Sequence, residues 1–167
     1  MTTEINDPQF VAGERTALRQ WLDYHRAVLA RKCEGLTDEQ LRLRAVEPSS
    51  LSLLGLVRHM ALVETSWFQN RFAGGDVPLP YISDGNPDGE FDDVDGADVV
   101  EAFTRWREAC DRSREIEAAA KSLDETGVVR GESVDLRWIM IHMIEEYARH
   151  NGHADFLRER IDGRTGD

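Results

Sequence analysis

Glu146 and His150 stand one helical turn apart in EEYARHNGHADFLRE, residues 145–159. Side chains four residues apart share a helix face, so a carboxylate oxygen and an imidazole nitrogen can reach one point beside the axis. Such a pair can hydrogen-bond to itself, or hold a divalent cation that satisfies both groups. The choice matters if the pair is buried, because an uncompensated buried carboxylate costs several kcal/mol.

The pattern around the pair places it on the buried side. At about 100° per residue, Leu136, Ile139, Met143, Tyr147, Ala154, Leu157 and Ile161 fall within roughly 40° of one direction. His150 lies within about 20° of that direction and Glu146 about 60° off, on its shoulder. His142 and His153 sit further out on the same side, where rim residues or partners of the ligands belong. The stripe is apolar at both ends and acid–imidazole in the middle.

A cation held there needs a third ligand from a facing helix. The segment 53–72 offers His59, on the shoulder of its apolar face, and Glu64, nearer the centre; periodicity does not choose between them. His25 falls on the apolar stripe of the first helical segment and reads as a core histidine rather than a ligand. It joins Glu64, His142 and His153 as expected lining of the pocket. Without a metal, Glu146 and His150 would be a buried hydrogen-bonded pair, and His59 a residue touching solvent.

Four helical segments must position these residues. The first runs from about 13 to 33, with Leu18, Trp21, Leu22, His25, Val28 and Leu29 at i, i+3, i+4, i+7 spacing. Thr37 and Gln40 make a capping-box signature for a short helical turn. Ser52 and its neighbours start a second segment over 53–72, striped by Leu53, Leu56, Val57, Met60, Val63 and Trp67. A third, over 96–121, carries Val99, Val100, Phe103, Trp106 and Ile116, and the fourth covers 136–161. No convincing alternating strand is found. Gly152 inside the fourth helix suggests close packing against another backbone. Residues 73–95 hold three of the five prolines and many acids, a connection long enough for a lid or a crossover. The expected fold is all-α: one domain over 1–167, built as a four-helix bundle with a long crossover loop.

Composition narrows the partners. With 32 acids against 20 bases and a net charge of −12, the surface repels phosphate backbones and anionic membranes, so neither nucleic acid nor membrane is expected. The first ten residues, MTTEINDPQF, carry no basic head or apolar run, so no signal peptide is expected and the protein reads as cytoplasmic. Cys33 and Cys110 stand alone and read as reduced thiols. Asp84, Asn86, Asp88 and Gly89 match the start of a calcium loop, but position twelve is Asp95 and Pro87 stiffens the turn. A solvated acidic loop is the better reading.

The stretches PSSLSLLGLVRHMALVETSWF (48–68) and LRWIMIHMIEEYARHNGHADFLRERIDG (136–163) resemble the DinB/YfiT-like superfamily, in the branch related to mycothiol-dependent enzymes. The resemblance covers nearly the whole chain. It implies a helical bundle that binds a divalent metal through one residue of the second helix and two of the last. On this sequence those positions are His59, Glu146 and His150, which selects His59 over Glu64. Many relatives carry histidine at the position of Glu146; the glutamate resembles the mycothiol-dependent maleylpyruvate isomerase pattern. Relatives are often dimers, so a homodimer is expected.

Three protein ligands leave a position open on the ion, the catalytic arrangement. The leading expectation is therefore a divalent-metal-dependent S-transferase, with zinc first and nickel as another candidate. Its co-substrates would be a low-molecular-weight thiol of the mycothiol type, deprotonated at the metal, and an electrophile. A hydrolase using water at the same site and a metal-binding stress-associated protein without turnover are the alternatives.

Overall fold

A computed structural model describes residues 3–166; Met1, Thr2 and Asp167, the ends of the domain expected over 1–167, lie outside the described residues. In chain order the elements are α1 (Glu14–Cys33), α2 (Asp38–Arg42), α3 (Leu53–Glu64), α4 (Gly89–Asp92), α5 (Val99–Ala119), β1 (Thr126–Val129), β2 (Glu132–Asp135) and α6 (Leu136–Asp162). α3 does not stop at Glu64: the chain continues through Thr65–Phe72 in wider, π-helical turns. Helix makes up 59% of the molecule and strand 6%, so the fold is mostly helical, with a small strand component.

Local chemistry sets the helix ends. Ser52 Oγ accepts from Gly55 N at 3.0 Å and opens α3. Thr37 and Gln40 form both halves of a capping box at α2. Asp98 and Asp135 cap α5 and α6 through Glu101 N and Trp138 N. α6 ends on Gly163, whose φ of 79° is the left-handed C-terminal turn.

The apolar stripes then meet. α1 lies along α6 and α3 along α5, burying Leu22, Leu29, Leu56, Met60, Trp106, Ile139, Met143 and Tyr147. Two stripe positions face outward instead: Trp21 is 46% exposed and Val100 75%. Both lie at the border of their stripes, where a small rotation of the helix turns a side chain to solvent. Among the described residues no helix is long and apolar enough to cross a membrane.

The expectation of no strands is corrected. β1 and β2 form an antiparallel hairpin closed at Arg130 and Gly131, with Thr126 opposite Asp135 and Val129 opposite Glu132. Four-residue strands are too short for alternation to register. The hairpin docks on the π-helical segment so closely that a Cβ on Gly127 would lie 2.2 Å from Arg71 O; only glycine fits there.

Gly152 also departs from its expected role. It is exposed, and nothing lies within 4 Å of where its Cβ would be, so it packs against no neighbouring backbone. Gly152→Ala should therefore stabilise the protein by about 1 kcal/mol through helix propensity alone. Chemical denaturation would show this as a higher midpoint at unchanged slope.

Candidate functional site

His59 projects from the middle of α3, and Glu146 and His150 from one face of α6. The fold brings them together: one ligand atom from each lies within 4.8 Å of the others. Glu146 Oε2 is 3.4 Å from His150 Nε2 and 3.9 Å from His59 Nε2. The two imidazole rings meet edge to face, 4.7 Å between centroids.

Outer contacts aim the two imidazoles. His59 Nδ1 is 3.1 Å from Glu90 Oε1, a contact that holds the ring with Nε2 turned toward Glu146. Phe91 stacks on the same ring at 5.1 Å. His150 Nδ1 is 3.3 Å from His153 Nδ1. Burial, then the neighbouring His150 and Arg149, lower the pKa of His153, which favours its neutral form. His142 is stacked on Trp138 at 5.0 Å and meets Trp67 edge-on at 4.4 Å. Its Nε2 lies 3.5 Å from Glu146 Oε1, on the side away from His150.

Glu90 escaped the sequence reading. It sits in the acidic stretch read as solvated, yet it is only 4% exposed, and Val94 beside it is fully buried. That reading is corrected at Glu90, which α4 points at His59, while Asp84, Asp88, Asp92, Asp93 and Asp95 are exposed. The sequence signal was weak, an acid flanked by Phe91 and followed by Val94 at helical spacing. Of the calcium-pattern residues, Asn86 donates to Asp93 at 2.9 Å and pairs with Ser83 in a short turn. Removal of the partner of a metal-binding histidine costs about 10- to 100-fold in affinity, so, for a metal held by His59, Glu90→Ala should weaken binding of added zinc by about that factor in calorimetry.

Glu64 occupies a different neighbourhood from His59. Five residues along α3 turn it about 140° away, into the core, where it is fully buried. Arg26 grips it with two hydrogen bonds of 2.8 and 2.9 Å. Tyr147 Oη donates to Glu64 Oε1 at 2.8 Å and accepts from Trp106 Nε1 at 2.8 Å. This network ties α1, α3, α5 and α6 together at Tyr147, the residue next to Glu146. It thereby sets the rotation of α6 that turns Glu146 and His150 toward His59. His25 packs with Trp21 and Tyr24 and meets Asn151, whose Nδ2 donates to His25 O at 3.1 Å. Burial lowers its pKa.

Charge at the cluster is mutually supporting. The imidazoles of His150 and His59 outweigh burial and hold the Glu146 carboxyl well below the usual carboxylate range. Burial acts to lower the pKa of His59, but the carboxylates of Glu146 and Glu90 overcome it and raise the pKa. Cys33 and Cys110 are free and buried. Burial pushes the Cys33 thiol up to about 12 and drives Cys110 upward as well, so neither is poised as a nucleophile.

The donor set fits a divalent transition metal. Two neutral imidazole nitrogens and an ionised carboxylate suit zinc or nickel better than calcium. Tetrahedral ligands at about 2.0–2.1 Å from an ion lie about 3.3–3.4 Å apart. The separations of 3.4 and 3.9 Å come within a small side-chain adjustment of that spacing.

The pKa shifts fix a pH dependence. Without metal, the raised pKa of His59 adds stability that is full below 6.5 and is lost as pH rises through its folded value. The depressed pKa of Glu146 adds stability present above 4.5 and lost only as pH falls through its folded value. Between those limits the cluster is satisfied by the His59 proton, which a metal must displace. The zinc-induced rise in Tm should therefore grow from pH 6 to pH 8, as scanning calorimetry with and without zinc would show.

With this geometry in place, comparison with known proteins gives one match. A family model described as mycothiol-S-transferase matches residues 17–163. No curated protein and no solved structure matches the chain.

Proposed function

This chain belongs to the mycothiol S-transferase family, within the DinB/YfiT-like superfamily, and from that premise we propose that it is a divalent-metal-dependent S-transferase. Its reaction joins the sulfur of a low-molecular-weight thiol of the mycothiol class to an electrophilic carbon. The S–C bond forms while the thiol proton and any leaving group pass to solvent. The observation that carries the reading is the convergence of His59, Glu146 and His150 on one point.

In this reading His59 Nε2, His150 Nε2 and one Glu146 oxygen hold the ion, zinc in the first instance. When bound, the ion would supply the positive charge that lowers the pKa of a thiol, so that its proton passes to water at neutral pH. Glu90 and His153 orient the two imidazoles through their Nδ1 atoms. Trp67, Trp138 and Phe91 form apolar walls that keep water from the sulfur. The scaffold is a four-helix bundle whose crossover, residues 73–95, brings Glu90 to the site. The same reading has the chain working as a cytoplasmic homodimer, an arrangement favoured by the exposed Ile141 and Phe156 on α6.

The test is a conjugation assay with mycothiol and 1-chloro-2,4-dinitrobenzene, with and without chelator. The rate should vanish with chelator, return with zinc, and be absent in His150→Ala. A rate indifferent to both chelator and His150→Ala would remove the reading.

A further inference from the structure

Glu146 faces two ways. Its Oε2 turns to His150 and His59, and its Oε1 turns to His142, 3.5 Å from Nε2. The His59–Glu146–His150 cluster uses one of the two oxygens, and the other belongs to a second group of side chains. His142, Glu145 and Glu146 each present one ligand atom, all within 4.8 Å of one another.

Helix geometry accounts for that grouping. Glu145 and Glu146 follow His142 by three and four residues, so both carboxylates lie beside the imidazole on the surface of α6. The ring is not free to swing away. Trp138 stacks on it at 5.0 Å with an interplanar angle of 18°, and Trp67 meets it edge-on at 4.4 Å. Held between the indoles, the imidazole presents its nitrogens to the two acids, and little side-chain entropy is left to lose on binding a ligand.

The separations are those of ligands rather than of hydrogen-bonded partners. His142 Nδ1 lies 3.7 Å from Glu145 Oε2, and Nε2 lies 3.5 Å from Glu146 Oε1. An N–H···O hydrogen bond spans about 2.7–3.2 Å, so both contacts are too long to be one. Donors around a tetrahedral ion stand about 3.3–3.4 Å apart, close to the shorter of the two. Charge points the same way. Arg149 takes Glu145 Oε1 and leaves Oε2 turned to His142. Among the described residues no lysine or arginine lies within ion-pair distance of Glu146, so the two carboxylates share one cation.

We propose that His142, Glu145 and Glu146 form a second divalent-cation site, on the Trp67–Trp138 side of Glu146. Glu146 joins it to the first centre, one oxygen to each ion. Carboxylates and imidazoles on the helices of a bundle are a known means of clamping a pair of metals. One imidazole and two carboxylates, with Glu145 open to water, suit zinc or manganese in a weak, exchangeable position. Only the sharing of Glu146 rests on the metal centre of the S-transferase reading; the cation site itself does not.

The test is a zinc titration of metal-stripped protein, with bound metal per chain counted by elemental analysis after dialysis. The wild type should hold two ions, the second at least about tenfold more weakly than the first. His142→Phe keeps a ring between the indoles and should hold one. Glu145→Ala, at a residue open to solvent, leaves that packing untouched and should also hold one. The same count in the wild type and in either folded variant would overturn the proposal. An ion lost in His142→Phe but kept in His150→Ala, with no other ion bound, would sustain the cation site while the metal centre of the S-transferase reading fails.

Discussion

Glu146→Ala should abolish zinc binding while leaving the fold intact. Glu146 is the hub of the cluster, with His150, His142 and His59 imidazoles at 3.4, 3.5 and 3.9 Å from its oxygens. It is also the one anionic donor, so its loss leaves two neutral nitrogens to hold a dication. Loss of an outer partner such as Glu90 costs about 10- to 100-fold, and loss of the charged ligand itself should cost about a thousandfold or more. Glu146 takes no part in the Arg26–Glu64–Tyr147 network that joins the helices, so its loss removes the stability its depressed pKa adds but not the fold. Calorimetric titration with zinc, paired with far-ultraviolet circular dichroism, separates the two effects. Submicromolar zinc binding in a folded Glu146→Ala protein would contradict this assignment.

Glu64→Ala should have the opposite signature, a large loss of stability. The change strips the buried counterion from Arg26, which is 5% exposed and keeps only the half-open Asp23 at 3.0 Å, and the acceptor from Tyr147 Oη, which is fully buried. Removing one partner of a buried ion pair costs about 3–5 kcal/mol, a large share of the roughly 5–15 kcal/mol that holds a domain together. For a chain of this length the Tm should fall by about 10 °C or more. Glu64→Gln keeps the hydrogen-bonding atoms and the shape, and should fall less. Thermal melts of the three proteins would check the order. A Glu64→Ala protein melting with the wild type would mean that α1, α3 and α6 are held in register by something other than this network.

On periodicity alone Glu64 and His59 were open alternatives for the third ligand, and the reason is physical. Periodicity reports which face of a helix is buried but not what it is buried against. His59 sat on the shoulder of the apolar face of 53–72 and Glu64 nearer its centre; the resemblance selects His59, and the packing of α3 on α6 and α1 shows where each side chain goes. The ends and faces of the long helices were legible because local rules set them: Ser52, Thr37 and Asp135 cap as their side chains dictate. The Glu146–His150 pair was legible for the same reason, being four residues apart on one helix.

What escaped notice depends on contacts distant in sequence. Glu90 lies 31 residues from His59, and its burial follows from how 73–95 folds back, which no local pattern records. The hairpin escaped because strands of four residues carry no measurable period. Its turn, Arg130-Gly131, lacks the asparagine or aspartate that marks such turns. Gly152 was misread because a helical glycine suggests a close neighbour, whereas here it faces solvent.

The most direct measurement is an anomalous difference map at the zinc absorption edge, from crystals grown with zinc. It should show one peak per chain between α3 and α6, about 2.0–2.2 Å from His59 Nε2, His150 Nε2 and a Glu146 oxygen. A map without density there, or with zinc bound only by other residues, would contradict the metal centre on which the proposed chemistry stands.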